Sequence, residues 1–209
     1  MAKASGGTKK STPIQNINRM EVGAYNNIQS IINSISKSDN EGFADSLEYK
    51  MNDPFVSPSE VEALGSIALY VRDNYLDNID TYTQKVLQDV VKQSPNVYET
   101  LYRGISFSEK EGYKFLQKIK EKKNLTLGDF TQKNRKVVSM TDKKDSFWVT
   151  SKHSDTNMSI SINGGIRGLD LNKGGENEIL TSSSTKVSIQ KISFNEKTKR
   201  YDIRLKVKK

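Results

Sequence analysis

The sequence lacks several residues and motifs that define large classes of functional site. It contains no cysteine and a single histidine, His153, among its 209 residues. Disulfide frameworks, thiol catalysis, cysteine-bound zinc and sites with several histidine ligands are therefore excluded. For the same reason we predict that the protein holds no metal. Phosphate-binding loops, dinucleotide-binding glycine fingerprints and nucleophile elbows are also absent.

Long apolar runs are missing as well. No run approaches the ~20 residues that a membrane-spanning helix needs, so we expect no membrane partner. The N-terminal segment MAKASGGTKKSTPIQN is positively charged but has no apolar stretch, so it does not resemble a secretory signal. We expect an intracellular protein, or one delivered by a machine that needs no such signal.

Positive charge is abundant and unevenly distributed. The formal net charge is +8 and the isoelectric point is about 9.4. Residues 103–150 contain twelve Lys and Arg but only six Asp and Glu. Lysines dominate without an arginine-rich or aromatic–basic motif, so a solvated basic surface is the simpler interpretation and nucleic-acid binding is the alternative. A site in this region would favour a polyanion or a phosphate-bearing ligand.

The first part of the chain predicts a tail and a helix. Residues 1–16 are rich in Lys, Ser, Gly and Thr and predict a disordered tail. Residues 17–56 contain apolar side chains at helical spacing, which predict one amphipathic helix. These side chains are Tyr25, Ile28, Ile32 and Ile35.

Two further helices have recognisable boundaries. Ser57 and Glu60 form a capping box around Pro58, which predicts a helix start. Its predicted inner face consists of Val61, Leu64, Ala68 and Val71. The next helix is predicted from about Asp80 to Lys92, and the Ser-Pro pair at 94–95 ends it. Its predicted buried residues are Val86, Leu87, Val90 and Val91.

The pattern changes after residue 96. VYETLYRGISF predicts a short strand, and Ser108 with Glu111 opens a helix. We expect that helix to place Tyr113, Leu116 and Lys120 on one face. From about residue 125 the chain predicts strands, including an alternating run before the turn at 163–165 and a hairpin around 195–199. Helices followed by a mainly antiparallel sheet predict an α+β fold.

Three short segments carry candidate chemistry. LYRG at 101–104 places an arginine on a strand, and VVSMT at 137–141 contains Ser-x-Thr. GGENEIL at 174–180 contains two glutamates, Glu176 and Glu178, separated by one residue. Residues two apart on a strand point to the same face, so these like charges are either both solvated or share a task. Each segment alone is ordinary sheet composition.

Together, and in this order, the three segments resemble the Arg–Ser–Glu class of mono-ADP-ribosyltransferases, which includes bacterial toxins and bacteriophage enzymes. The family pattern is an arginine strand, often YRG, then a Ser-x-Ser/Thr strand, then a loop ending in Glu-x-Glu or Gln-x-Glu. GLDLN and IALYVRDNYLDNID also resemble parts of such domains. The resemblance implies a catalytic domain at 59–209 with an ADP-ribosyltransferase-type sheet, preceded by a helical segment at 17–58.

The resemblance implies a substrate and a reaction. The nicotinamide–ribose bond of NAD would be cleaved, and ADP-ribose would pass to an accessible arginine of a target protein. Arg103 would bind the pyrophosphate, for which a planar guanidinium offers two parallel hydrogen bonds. Gly104 would let the backbone pass close to the ligand. A toxin of this kind would act after delivery into a host cell.

The remaining roles fall on the second and third segments. Glu178 would stabilise the positive charge that develops on the ribose and would bind a ribose hydroxyl. Ser139 would orient Glu178, and Thr141 would support the site. Glu176 would bind the acceptor, and the Glu-x-Glu form implies an arginine acceptor in this family.

Several alternatives stay open. WVTS at 148–151 is a second candidate for the serine strand, although the apolar pair before Ser139 favours the first. Phe147 and Trp148 could stack on nicotinamide, but core packing is the simpler role, and His153 is expected at the surface. Two rival functions are a non-catalytic basic module for nucleic acid or an acidic partner, and an NAD glycohydrolase.

Overall fold

The protein combines five α-helices with nine strands in the part of the chain that the computed structural model describes. Those residues are 24–36, 39–72, 79–131, 135–143, 158–171, 177–197 and 199–208. The helices are α1 (Ala24–Ser34), α2 (Asn40–Lys50), α3 (Pro58–Arg72), α4 (Thr81–Gln93) and α5 (Glu109–Glu121). The strands are β1 (Asn96–Val97), β2 (Leu101–Ile105), β3 (Leu125–Thr126), β4 (Val137–Thr141), β5 (Met158–Asn163), β6 (Ile166–Asp170), β7 (Glu178–Ser182), β8 (Lys186–Asn195) and β9 (Arg200–Val207).

Helix ends lie where the capping residues predict them. The Ser57 amide donates to Glu60 Oε2 at 2.7 Å, at the start of α3. Asp80 caps α4 through the Thr83 amide, and Ser108 with Glu111 forms the capping box of α5. All four apolar residues predicted to be buried on α4 are buried. These ends are local in sequence, which is why sequence alone identifies them.

Two local predictions were wrong. The N-terminal region forms two helices rather than one, because Asp39 caps a second helix by accepting from the Gly42 amide. Residues 96–105 form two short strands with different partners rather than one. The predicted helix α5 is present, with Leu116 and Ile119 buried and Tyr113 65% exposed.

The nine strands form one sheet in the order β1-β6-β7-β4-β2-β5-β9-β8-β3. All neighbouring strands are antiparallel except β5 and β9. Strands β2 and β4 share a single residue pair, Tyr102 with Thr141, whereas β2 and β5 share five. The sheet is therefore two well-paired parts that meet at this junction. The predicted α+β class with a mainly antiparallel sheet is confirmed.

Apolar residues pack in two clusters. One cluster joins the buried faces of α1–α4 to Val137 on β4, Leu169 on β6 and Leu180 on β7. The other contains Val138, Met140 and Ile179, together with apolar residues of α5, β2, β5, β8 and β9. Alternate residues of β4 and β7 thus enter different clusters, as the two faces of a strand require.

Polar contacts also hold α1 and α2 against α3. Arg72 at the end of α3 forms ion pairs with Glu41, Asp45 and Glu48 of α2, at 2.6–2.8 Å. Asn27 of α1 donates to Glu60 Oε1 at 2.6 Å. The domain boundary predicted after residue 58 stays a prediction. Helices α1 and α2, which precede it, share one apolar cluster with α3, which follows it. No helix in the described ranges is long and apolar enough to cross a membrane.

Candidate active site

The candidate residues converge where the two parts of the sheet meet. Arg103 and Gly104 lie on β2, and Ser139 and Thr141 lie on the neighbouring strand β4. Thr141 in turn pairs with Glu178, the first residue of β7. Residues from 101–104, 137–141 and the end of 174–180 are therefore neighbours across three adjacent strands. A ligand at this junction would contact all three segments.

Arg103 presents a buried guanidinium at the junction. Its Nη1 donates to the Ser139 carbonyl at 2.7 Å, which links β2 to β4 by a side chain. Its Nε is buried and has no hydrogen-bond partner among the described residues. Burial lowers the pKa of Arg103 from its usual value, and the nearby charge of Arg135 acts in the same direction. A buried donor and a second cation together favour an anionic ligand.

Glu178 begins β7 with a buried carboxylate, only 7% exposed. The hydroxyl of Tyr70 on α3 donates to its Oε1. The preceding residue, Asn177, has a positive φ of 35°, and its side chain donates to Asp142 at 3.3 Å. The chain therefore enters β7 through a left-handed residue that is tied to the end of β4. This fixes the backbone immediately before the carboxylate.

Tyr70 is a site residue that the sequence motifs do not include. Burial is the first cause that raises its pKa well above the usual value, and the charge of Glu178 is the second. Hydrogen bonding with Ser139 and the charge of Arg103 act in the opposite direction. The phenol therefore stays protonated and donates, and it contacts both Glu178 and Ser139. The predicted inner face of α3 does not include Tyr70, so no signal in the sequence pointed to it.

Thr141 and Ser139 differ in their surroundings. Thr141 is 2% exposed, and its Oγ1 accepts from the Lys143 amide at 3.2 Å. Ser139 is half-buried and is hydrogen-bonded to Tyr70. The predicted hydrogen bond from Ser139 to Glu178 stays a prediction. Tyr70 contacts both residues and so connects them.

Some candidate residues lie outside the described ranges. These are Glu176 with the two glycines before it, the alternative serine segment at 148–151, Phe147, Trp148 and His153. Their roles stay predictions. Among the described residues, no group of three or more His, Asp and Glu side chains could hold a metal ion.

Comparison with known proteins identifies the fold. No protein-family model matches the chain, and no curated protein matches it in sequence. The ADP-ribosyltransferase HopU1 of Pseudomonas syringae pathovar tomato is similar in structure over 88% of this chain and 97% of that chain. The TM-score is 0.53 at 15% sequence identity. Exoenzyme S of Pseudomonas aeruginosa matches over 88% of each chain, with a TM-score of 0.51 and 12% identity.

The chain has the ADP-ribosyltransferase fold. The resemblance inferred from the three segments is thereby confirmed at the level of the fold. The structural match covers 88% of the chain, which is more than residues 59–209 contain, so it extends into the N-terminal region. In this chain, Tyr70 of α3 contacts Glu178, the glutamate of the third segment that lies on β7.

A substitution tests the contact between Tyr70 and Glu178. Tyr70→Phe keeps the buried ring and removes the hydroxyl. We expect the free energy of unfolding near neutral pH to fall by about 1–3 kcal/mol, because a buried carboxylate loses a hydrogen-bond donor. Chemical denaturation measures the change. Tyr49→Phe is the control, since Tyr49 is 77% exposed. Equal stability of wild type and Tyr70→Phe would contradict the assignment.

The raised pKa of Tyr70 adds a pH dependence to the same test. The folded protein holds the phenolic proton more tightly than the unfolded chain, whose tyrosines titrate near pH ~10. The stabilisation is therefore complete below that pH and is lost as the pH rises toward the raised value. Wild type should lose stability in this alkaline range more steeply than Tyr70→Phe.

Proposed function

We propose that the chain is a mono-ADP-ribosyltransferase that cleaves the nicotinamide–ribose bond of NAD and transfers ADP-ribose to an arginine of a target protein. The observation that carries the proposal is the junction of β2, β4 and β7. It brings the buried guanidinium of Arg103 into electrostatic interaction with the carboxylate of Glu178 and the phenol of Tyr70. The fold that surrounds this junction supports the same reaction.

The surroundings of Arg103 fit the diphosphate of NAD. One nitrogen of the guanidinium holds the Ser139 carbonyl, and the buried Nε is without an acceptor among the described residues. A diphosphate oxygen would supply that acceptor, and the positive field of Arg135 would favour its charge. The exoenzyme S structure that shares the fold is bound to carba-NAD, which supports NAD as the ligand here.

The surroundings of Glu178 fit the ribose. As nicotinamide leaves, positive charge develops on the ribose carbon, and a fixed carboxylate nearby stabilises that charge. Tyr70 holds one carboxylate oxygen from α3, so the side chain needs little reorganisation when the charge appears. Burial strengthens the effect, because the field of the carboxylate is screened less in a site from which water is excluded.

The acceptor is assigned through Glu176, the first of the two glutamates in GGENEIL. In the Glu-x-Glu form of the third segment, Glu176 would face the incoming guanidinium, orient it and take its proton. One glutamate would therefore act on the sugar and the other on the acceptor. The two like charges in GGENEIL would then have separate tasks.

Replacement of Arg103 tests the NAD site. Arg103→Lys keeps the charge and loses the planar pair of donors. A hydrogen bond to a charged group contributes about 1.5–3 kcal/mol, so we expect NAD to bind about 10–100-fold more weakly. Titration calorimetry measures the affinity. Arg167→Lys is a matched control. Arg167 also donates to a backbone carbonyl, that of Ser94, at a distance of 2.9 Å, but it lies outside the junction. Unaltered NAD binding in Arg103→Lys would place the diphosphate elsewhere.

Replacement of Glu178 tests the catalytic carboxylate. Glu178→Gln keeps the shape and removes the charge that faces the ribose. We expect NAD hydrolysis and ADP-ribose transfer to fall together by about 100–1000-fold. Release of nicotinamide and labelling of an arginine acceptor measure the two rates. Glu121→Gln, at the exposed end of α5, is the control. Near-complete activity in Glu178→Gln would refute the assignment of β7 to catalysis.

Replacement of Glu176 tests the arginine acceptor. In Glu176→Gln we expect transfer to agmatine to fall by about 100–10,000-fold, the range for loss of a general base. Slow NAD hydrolysis should persist, because water is then the acceptor. Equal losses of both rates would assign Glu176 to the NAD site. An enzyme that cleaves NAD without labelling any acceptor would be a glycohydrolase, and the arginine assignment would fall.

A further inference from the structure

The outer face of the β8–β9 hairpin carries five exposed basic side chains and one acidic side chain, Asp202, which lies beside the buried Arg200. The basic residues are Lys186, Lys191, Arg204, Lys206 and Lys208, and all five are exposed. Their apolar neighbours along the two strands, including Val187, Ile203 and Leu205, point into the core. Arg204, Lys206 and Lys208 share one face because side chains alternate along β9. Lys186 and Lys191 join that face, because the register of β8 shifts between Ile189 and Lys191 and so offsets their odd spacing. We call this face the basic ribbon.

Within the basic ribbon, like charges lie opposite one another. Lys191 is the direct cross-strand partner of Arg204. Lys186 and Lys208 lie just beyond the pair Val187 and Val207, at the open end of the hairpin, and the Lys208 amide donates to the Lys186 carbonyl at 2.9 Å. Like charges in directly opposite positions destabilise a sheet. None of the five forms an ion pair within the described ranges, so the fold itself gains nothing from their arrangement.

Protection of a sheet edge does not explain these charges. Lysine on an edge strand prevents unwanted strand pairing, which could account for Lys191 on β8. Strand β9, however, lies between β5 and β8 and is not an edge. Arg204 and Lys206 on β9 therefore need another reason. The described helices leave this face open, because the cluster of α1–α4 meets the sheet only at β4, β6, β7 and the residue after β6.

The basic ribbon is in register with the catalytic glutamate. Successive cross-strand partners form one row, Glu178, Thr141, Tyr102, Ser161, Arg204 and Lys191. Neighbouring strands lie about 4.8 Å apart, so Arg204 is roughly 19 Å from Glu178 along this row. A small acceptor at Glu178 cannot reach that far. A macromolecule bound at Glu178 can contact both.

We propose that the basic ribbon docks an acidic segment of the acceptor protein while an arginine of the same protein enters the site. This inference rests on the proposed transferase function and names the class of its substrate. A protein partner is favoured over nucleic acid by the chemistry of the face. The row carries only one aromatic residue, Tyr102, whereas single-stranded nucleic acid needs stacking platforms. A two-stranded ribbon embedded in a larger sheet also offers no element that enters a duplex groove.

The test uses two acceptor peptides. Each has one arginine, then a flexible linker of about twelve residues, whose r.m.s. length of roughly 17–21 Å matches the distance to the ribbon, then a block of glutamates or of glutamines. With wild type we expect kcat/KM for transfer to be at least about tenfold higher for the glutamate peptide. The advantage should shrink as the salt concentration rises, because exposed charges are screened. No advantage at low salt would overturn the proposal.

Charge reversal locates the effect. In Lys191→Glu/Arg204→Glu the preference for the glutamate peptide should disappear, while NAD hydrolysis and transfer to agmatine are unchanged. The matched control Lys114→Glu/Lys118→Glu makes the same charge change on the exposed surface of α5 and should keep the preference. Equal loss in both double variants would reduce the effect to net charge and overturn the proposal.

Two further measurements distinguish docking of an acidic segment from nucleic-acid binding and from a failure of the proposed transferase function. Label that enters a DNA or RNA fragment, and is lost in Lys191→Glu/Arg204→Glu, would assign the ribbon to nucleic acid and overturn the proposal. Binding of the fluorescent glutamate peptide, followed by anisotropy, needs no NAD. A protein that binds this peptide through the ribbon but never cleaves NAD would refute the proposed function and leave the docking surface supported.

Discussion

The hydrogen bond from Tyr70 to Glu178 is the contact on which the arrangement of the site depends. A carboxylate buried at the head of a strand costs free energy unless a donor satisfies it. Here a helix supplies a donor, the hydroxyl of Tyr70, while β4 pairs with Glu178 along the backbone at Thr141. The position of α3 relative to β7 therefore decides where the carboxylate points. Whatever holds α3 also holds the site.

The N-terminal helices hold α3 in place. Arg72 at its end is surrounded by three carboxylates of α2, and Glu60 at its start accepts from Asn27 of α1. The ion pairs at Arg72 are exposed and contribute little singly, but together they fix the orientation of the two helices. Most of the stabilisation comes from apolar side chains such as Ile28, Phe43 and Leu47, which are buried against α3. Helices α1 and α2 thus shape the site although none of the candidate side chains lies on them.

The sequence predicts what is local and misses what is not. The starts of α3, α4 and α5 and most of the strands depend on neighbouring residues, and they lie where the sequence predicts them. Helix α2 was missed because its apolar pattern is weak and its cap, Asp39, is a single residue. Tyr70 was missed because its partner is 108 positions away, and no spacing rule connects a helix to a strand over that distance. The order of the strands could not be predicted from the sequence either, because β7, β4 and β2 become neighbours only through long-range pairing.

The site lies at the weakest connection of the sheet, and this location has a physical reason. Arg103 and Glu178 belong to different parts of the sheet, which share one residue pair between β2 and β4. Fewer ladder hydrogen bonds at this junction leave side chains and backbone groups free to meet a ligand. The hydrogen bond from Arg103 to the Ser139 carbonyl spans the same junction. One guanidinium therefore links the two parts through Nη1 and offers Nε to an anion. A ligand that contacts both Nε of Arg103 and the carboxylate of Glu178 would therefore connect the two parts of the sheet.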